Sequence, residues 1–182
     1  PKGEALPAEK KEMVTTVFNG QLPKLDKTEF HVEAEPMGET SAPIVITQSE
    51  YMRRMKEMAS IQPGMSFYGE MPSMINLVLN SDHKQVKKVI DDAKTACSEK
   101  LAPVEAEIAV LKMRQNELNK AHEGKKDEEI PTAEKDELND IEKKIETQNQ
   151  QKTAIVNEYA AGNQTVHQLI DLALLQNGML KR

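Results

Sequence analysis

From about Lys94 to Asn157 the chain carries no Phe, Tyr or Trp, few turn residues and a dense mixture of Lys, Glu and Asp. Such a stretch holds too little apolar surface to offset the chain entropy of a compact core. It suits long solvated helices whose thin apolar stripes need only each other. Val104, Ile108, Leu111, Gln115 and Leu118 recur at spacings of three and four. Leu138, Ile141, Ile145 and Ile155 do the same, with Gln148 and Lys152 interrupting. Pro103 fits a first helical turn and not a helix interior, so a helix is expected to begin there. Gly124 to Pro131 reads as a charged connection. The pattern predicts an antiparallel helical hairpin over 94–157, coiled-coil-like, with a thin and partly polar seam.

The flanking segments read differently. Met13, Val14, Val17 and Phe18 give one buried stripe on a helix from about Pro7 to Asn19. The period then changes to two: Phe30, Val32 and Ala34 alternate with His31, Glu33 and Glu35, as in a half-buried strand. Pro36 to Glu39 is a turn. Ile44 to Thr47 reads as a second strand, and Ile75, Leu77 and Leu79 mark a third. A helix from about Ser49 to Ile61 lies between these two strands, capped by Ser49 or Thr47 and ended by Pro63-Gly64. Another begins after Asn80-Ser81-Asp82, whose short polar side chains can accept from free helix-start amides. Thr165 opens a last helix, apolar nearly all round, in which Val166, Leu169, Ile170, Leu172, Ala173, Leu174 and Leu175 leave little polar face. The expected fold is α+β: a small three-stranded sheet packed with helices, a long antiparallel helical-hairpin insertion and an apolar C-terminal dimerisation helix. Residues 1–93 and 158–182 form one domain and 94–157 the insertion.

Charge narrows the partners. The net charge is −6 and the basic pairs sit among acids, so the electrostatic stripe that nucleic acid requires is missing. No apolar run approaches the length of a membrane span. The single cysteine, Cys97, cannot form an intrachain disulfide and fits a reducing cytoplasm. No phosphate-cradling glycine motif occurs, and the four histidines are scattered without ligand spacing. The chain reads as a non-enzyme with no cofactor or metal of its own and no nucleic-acid or membrane partner. Lacking an initiator Met, it also reads as a piece of a longer protein.

Methionine is the positive signal. Met52, Met55, Met58, Met65, Met71 and Met74 fall in one stretch, and Tyr51, Met55 and Met58 share a face of the expected 49–61 helix. Spacing alone favours core packing against the sheet. The other reading is an adaptable apolar surface, since Met is unbranched, polarisable and able to repack against different shapes.

Several separated runs carry a family resemblance. Ser41-Ala42-Pro43-Ile44-Val45-Ile46-Thr47-Gln48-Ser49-Glu50-Tyr51-Met52-Arg53-Arg54-Met55-Lys56-Glu57-Met58 and Gly64-Met65-Ser66-Phe67-Tyr68-Gly69-Glu70-Met71-Pro72 resemble bacterial chaperones of the heat shock protein 90 family. Asn76-Leu77-Val78-Leu79-Asn80-Ser81-Asp82-His83 is similar to that family's Leu-x-Ile-Asn-Pro-Asp-His signature, with Ser81 where Pro is usual. Leu172 to Gly178 resembles its apolar helix ending in Ala-Leu-Leu. The resemblance covers Pro7 to His83 and Thr165 to Leu180.

The resemblance implies the C-terminal dimerisation domain of an ATP-driven homodimeric chaperone active in protein folding and the stress response. ATP and Mg would belong to the full-length protein, outside this chain. It implies client contact by Tyr51, Met52, Met55, Met58 and Met65. It implies a homodimer interface on the last helix, which the apolar pattern assigns to Val166, Leu169, Ile170, Leu172, Ala173 and Leu175. Two departures stand out: 94–157 is an insertion relative to the shortest members, and members usually continue past Arg182 through one more helix. The rival expectation is a coiled-coil scaffold acting through the 94–157 hairpin.

Overall fold

The computed structural model describes residues 1–65 and 71–180. It is an α+β structure with the element order α1 (Ala8–Asn19), β1 (Thr28–Glu35), β2 (Ile44–Gln48), α2 (Glu50–Ala59), a 3-10 turn at Pro63–Met65, β3 (Ser73–Asn80), α3 (Lys84–Ala121), a 3-10 turn at Asp127–Glu129, α4 (Thr132–Ala161) and α5 (Gln164–Gln176). The chain divides into two compact units, Pro1–Thr95 with Tyr159–Arg182, and Ala96–Glu158.

In the first unit the strand order is β1-β3-β2, with β1 parallel and β2 antiparallel to β3. Because β3 is central, it is buried on both faces toward its end: Val78 and Asn80 are buried along with Ile75, Leu77 and Leu79. Val14, Val17 and Phe18 of α1 are fully buried, and α1 packs on β1. The last helix, α5, packs on β2 and on α1. Asn163 caps it, accepting from the Val166 amide at 3.1 Å, so the cap lies two residues before the expected Thr165.

The central placement of β3 has a topological cost. The β1–β2 connection, residues 36–43, joins the two outer strands of the sheet and must arch over the end of β3. Such an arch exposes backbone polar groups that no strand can pair. Asn80, the last residue of β3 and fully buried, meets that need. Its Oδ1 accepts from Met37 N at 3.0 Å, and its Nδ2 donates to Gly38 O at 2.8 Å and Ala42 O at 3.2 Å. Gly38 turns the arch in the left-handed region, φ 94°, which a residue with a Cβ adopts only at a cost.

The second unit contains the paired parts of α3 and α4. Buried positions on α3 fall at Cys97, Leu101, Val104, Ile108, Leu111 and Leu118, a strict alternation of fours and threes once half-buried Gln115 is included. That is the heptad period of a coiled-coil seam. Leu111, Leu118 and Ile141 form an apolar cluster with Leu138 and Ile145 packed against it. Arg114 reaches across from α3 to Glu137 on α4 with a forked contact, Nε to Oε1 at 2.6 Å and Nη2 to Oε2 at 3.1 Å.

One expectation fails here. Pro103 does not begin a helix; it lies inside α3, which runs unbroken for 38 residues. Pro103 and Glu99 both sit on the exposed face, so water can solvate the Glu99 carbonyl that a proline ring leaves without its amide partner. The apolar stripe continues on both sides of the proline and holds the helix together.

Candidate interaction surfaces

The Met-bearing helix α2 is well formed locally. Ser49 Oγ caps it by accepting from Met52 N at 3.4 Å, which settles the choice between Ser49 and Thr47. Arg53 bonds Glu50 one turn before it and Glu57 one turn after, and the hydrogen bond and charge of Arg53, with a smaller contribution from the Arg54 hydrogen bond, hold the Glu50 carboxyl below its ordinary range. Yet no residue of α2 is buried. Tyr51 is 63% exposed and Met58 38%, while Met52 and Met55 are half-buried. The spacing-based preference for core packing is therefore overturned: α2 leans on β3, tied by Lys56 Nζ to Ser73 Oγ at 2.9 Å, without entering the core. Met71 and Met74, flanking Ser73, are exposed as well. The Met65 side chain and residues 66–70 of the second resembling run lie outside the described residues.

The last helix separates into two faces. Val166, Leu169, Ile170, Ala173 and Leu174 are buried within their own unit. Leu172 is 51% exposed and Leu175 39%, one turn apart, so of the residues expected at an interface these two face outward.

The Asn80-Ser81-Asp82 run does not cap α3 as expected. The side chains of Asn80 and Asp82 are engaged elsewhere: Asn80 with the arch, and Asp82 Oδ2 with Gly3 N at 2.9 Å and Gly38 N at 2.8 Å. These two backbone hydrogen bonds, with a smaller contribution from Lys87, hold the Asp82 carboxyl below its ordinary range against the opposing effect of burial. His83 serves the helix start instead, its Nδ1 accepting from Gln85 N at 3.1 Å. No local pattern distinguishes a helix cap from a side chain that bonds a distant arch, so only the fold reveals the role of Asp82.

Among the described residues no group of three or more His, Cys, Asp or Glu is placed to hold a metal. Cys97 is buried and its thiol is pushed up by that burial, the opposite of what a reactive thiolate needs. No described helix is long and apolar enough to cross a membrane.

No family model and no solved structure matches the chain. Curated relatives do. The chain is 57% identical over 180 residues to a protein named Chaperone protein HtpG from Bacteroides thetaiotaomicron, and 58% identical over the same length to one from Bacteroides fragilis. Each match covers 99% of this chain and 26% of the relative. The protein of that name from Porphyromonas gingivalis is 42% identical over 165 residues, 90% of this chain and 24% of the relative. The chain thus spans about a quarter of the length of the relatives it matches, and the matched stretch takes in the 94–157 region. Over nearly all of its residues the chain is homologous to a quarter-length stretch of the proteins named Chaperone protein HtpG.

Proposed function

We propose that this chain is the C-terminal dimerisation segment of an HtpG chaperone and that α2 offers an adaptable apolar surface to non-native client proteins. The observation that carries the reading is a capped, ion-paired helix with no buried residue and an apolar side bearing Tyr51, Met55 and Met58. Flexible thioether side chains repack against varied partners at small cost, which suits a surface that must hold many clients weakly. The homologues' name supports a chaperone, and nucleotide hydrolysis is assigned to the remainder of the full-length protein. On α5, Leu172 and Leu175 are proposed to meet their counterparts across a two-fold axis, with Val166, Leu169, Ile170 and Ala173 supporting them from within.

The client reading is tested by changing Tyr51, Met55 and Met58 together to Ser in the full-length chaperone and measuring suppression of client aggregation. Suppression is expected to fall while the circular dichroism spectrum and melting temperature stay near wild type. Loss of folding would assign these residues to the core and remove the client role. The tether is tested by sedimentation equilibrium of the 182-residue chain, of Leu172→Asp, and of a version lacking 94–157. A second reading, a coiled-coil scaffold acting through 94–157, is favoured by Val110 and Met113, both well exposed on α3. Monomerisation by Leu172→Asp alone supports the tether on α5; monomerisation by hairpin removal alone supports the scaffold.

A further inference from the structure

Asp82 Oδ2 accepts from two amides far apart in the chain, Gly3 N and Gly38 N. One anchors the arch over β3. The other holds residues 1–7, which form no regular structure ahead of α1 and are exposed except for half-buried Leu6. A segment with so little apolar burial draws its fixed position from few contacts, and a hydrogen bond to a charged acceptor is the strongest on offer. The fit at the anchor is close: a Cβ built on Gly3 would overlap the Asp82 carboxylate. The bond therefore requires a residue without a side chain at position 3, and any larger residue must leave the carboxylate or displace it.

We propose that residues 1–7 form a releasable strap, latched to the β1–β2 arch by the Asp82 carboxylate with Gly3 as the latch point. The arch itself is secured independently by Asn80, which bonds Met37, Gly38 and Ala42. Releasing the strap thus leaves the sheet and arch intact. Docked, the strap fixes the direction in which any preceding sequence leaves this unit; released, it frees that direction. The proposal concerns the fold alone and stands or falls separately from the chaperone reading.

Amide hydrogen exchange by nuclear magnetic resonance on the 182-residue chain tests it, comparing wild type with Gly3→Ala and Asp82→Asn. In wild type the Gly3 amide is expected to exchange at least about tenfold more slowly than in an unstructured peptide, the effect of one charge-assisted bond. In Gly3→Ala, residues 2–6 are expected to exchange at peptide rates while Gly38 stays protected. In Asp82→Asn, both Gly3 and Gly38 are expected to lose protection. Should Asp82→Asn fail to fold, Gly3→Ala decides the matter, because it leaves Asp82, Gly38 and Asn80 in place. A Gly3 amide that exchanges at the peptide rate in wild type overturns the proposal. So does a Gly3→Ala chain whose residue 3 amide keeps the wild-type protection of Gly3.

Discussion

Gly38 and Asp82 are joined across 44 positions of sequence by a backbone amide that donates to a buried carboxylate at 2.8 Å. Because this bond and the one from Gly3 favour the ionised carboxylate, the folded state binds a proton at Asp82 less readily than the unfolded chain. A lowered folded-state pKa contributes stability that is complete above the ordinary carboxylate range and disappears as pH falls through the folded value. The melting temperature of wild type is therefore expected to exceed that of Asp82→Asn near neutrality, and the gap to narrow as pH falls below about 5, through the ordinary carboxylate range and on beneath it. A gap that is constant over this range would show that the ionised form has no special place in the fold.

Ser81, between Asn80 and Asp82, is buried, and its hydroxyl has no hydrogen-bond partner among the described residues. A buried orphan hydroxyl costs about 1–3 kcal/mol relative to the solvated group. Ser81→Ala is expected to raise stability by about 1 kcal/mol, read as a higher urea midpoint with an unchanged slope. Proline, the residue usual at this place in the resembling signature, is a different matter. The Ser81 amide donates to Glu35 O at 3.0 Å, and proline would abolish that bond. Ser81→Pro is expected to be less stable than Ser81→Ala; the reverse order would mean that restricting the backbone here outweighs the lost hydrogen bond.

The fold class, the order of the elements and the heptad stripe of α3 were readable because each rests on a local period that burial preserves. Val14, Val17 and Phe18 are buried as their spacing implies. Pro103 misled because a local rule about the missing amide was applied without knowing that the face is solvated. The Asn80 and Asp82 roles were unreadable for the opposite reason. They follow from strand order, and a sequence that predicts three strands does not say which one lies in the middle. Spacing favoured the core for the Met stripe on α2 and the structure leaves it at the surface, since an amphipathic helix packed in the core and one outside it share one pattern; only the absence of any buried α2 residue separates them.

Pro103 offers a direct test of how well a long helix tolerates proline. It occupies an exposed position of α3, so its replacement disturbs no buried packing. Pro103→Ala restores an amide that can bond the Glu99 carbonyl and substitutes the residue of highest helix propensity. An interior proline costs up to about 3 kcal/mol in helical hosts, and solvation of the freed carbonyl recovers part of it. A gain of about 1–2 kcal/mol is expected on denaturant unfolding. No gain, or a loss, would mean that α3 bends at Pro103 in a way the paired helices require.

The contact between α3 and α4 combines a fork-shaped ion pair with an apolar cluster, and magnitudes decide which holds it. Arg114 is about half exposed, 47% for its side chain, and is shared between Glu137 and Glu117. Exposed pairs are screened and must order two long side chains, so such bridges contribute little even when their geometry is good. Ile141 is buried against Leu111 and Leu118, and truncating a buried Ile to Ala costs about 2–5 kcal/mol through lost transfer energy and the cavity left behind. Ile141→Ala is therefore expected to loosen the paired helices and to speed amide exchange along the facing stretches of α3 and α4. Arg114→Ala is expected to leave both nearly unchanged at physiological salt. Equal effects of the two substitutions would place the fork, and with it the alignment of α3 on α4, on the same footing as the apolar seam.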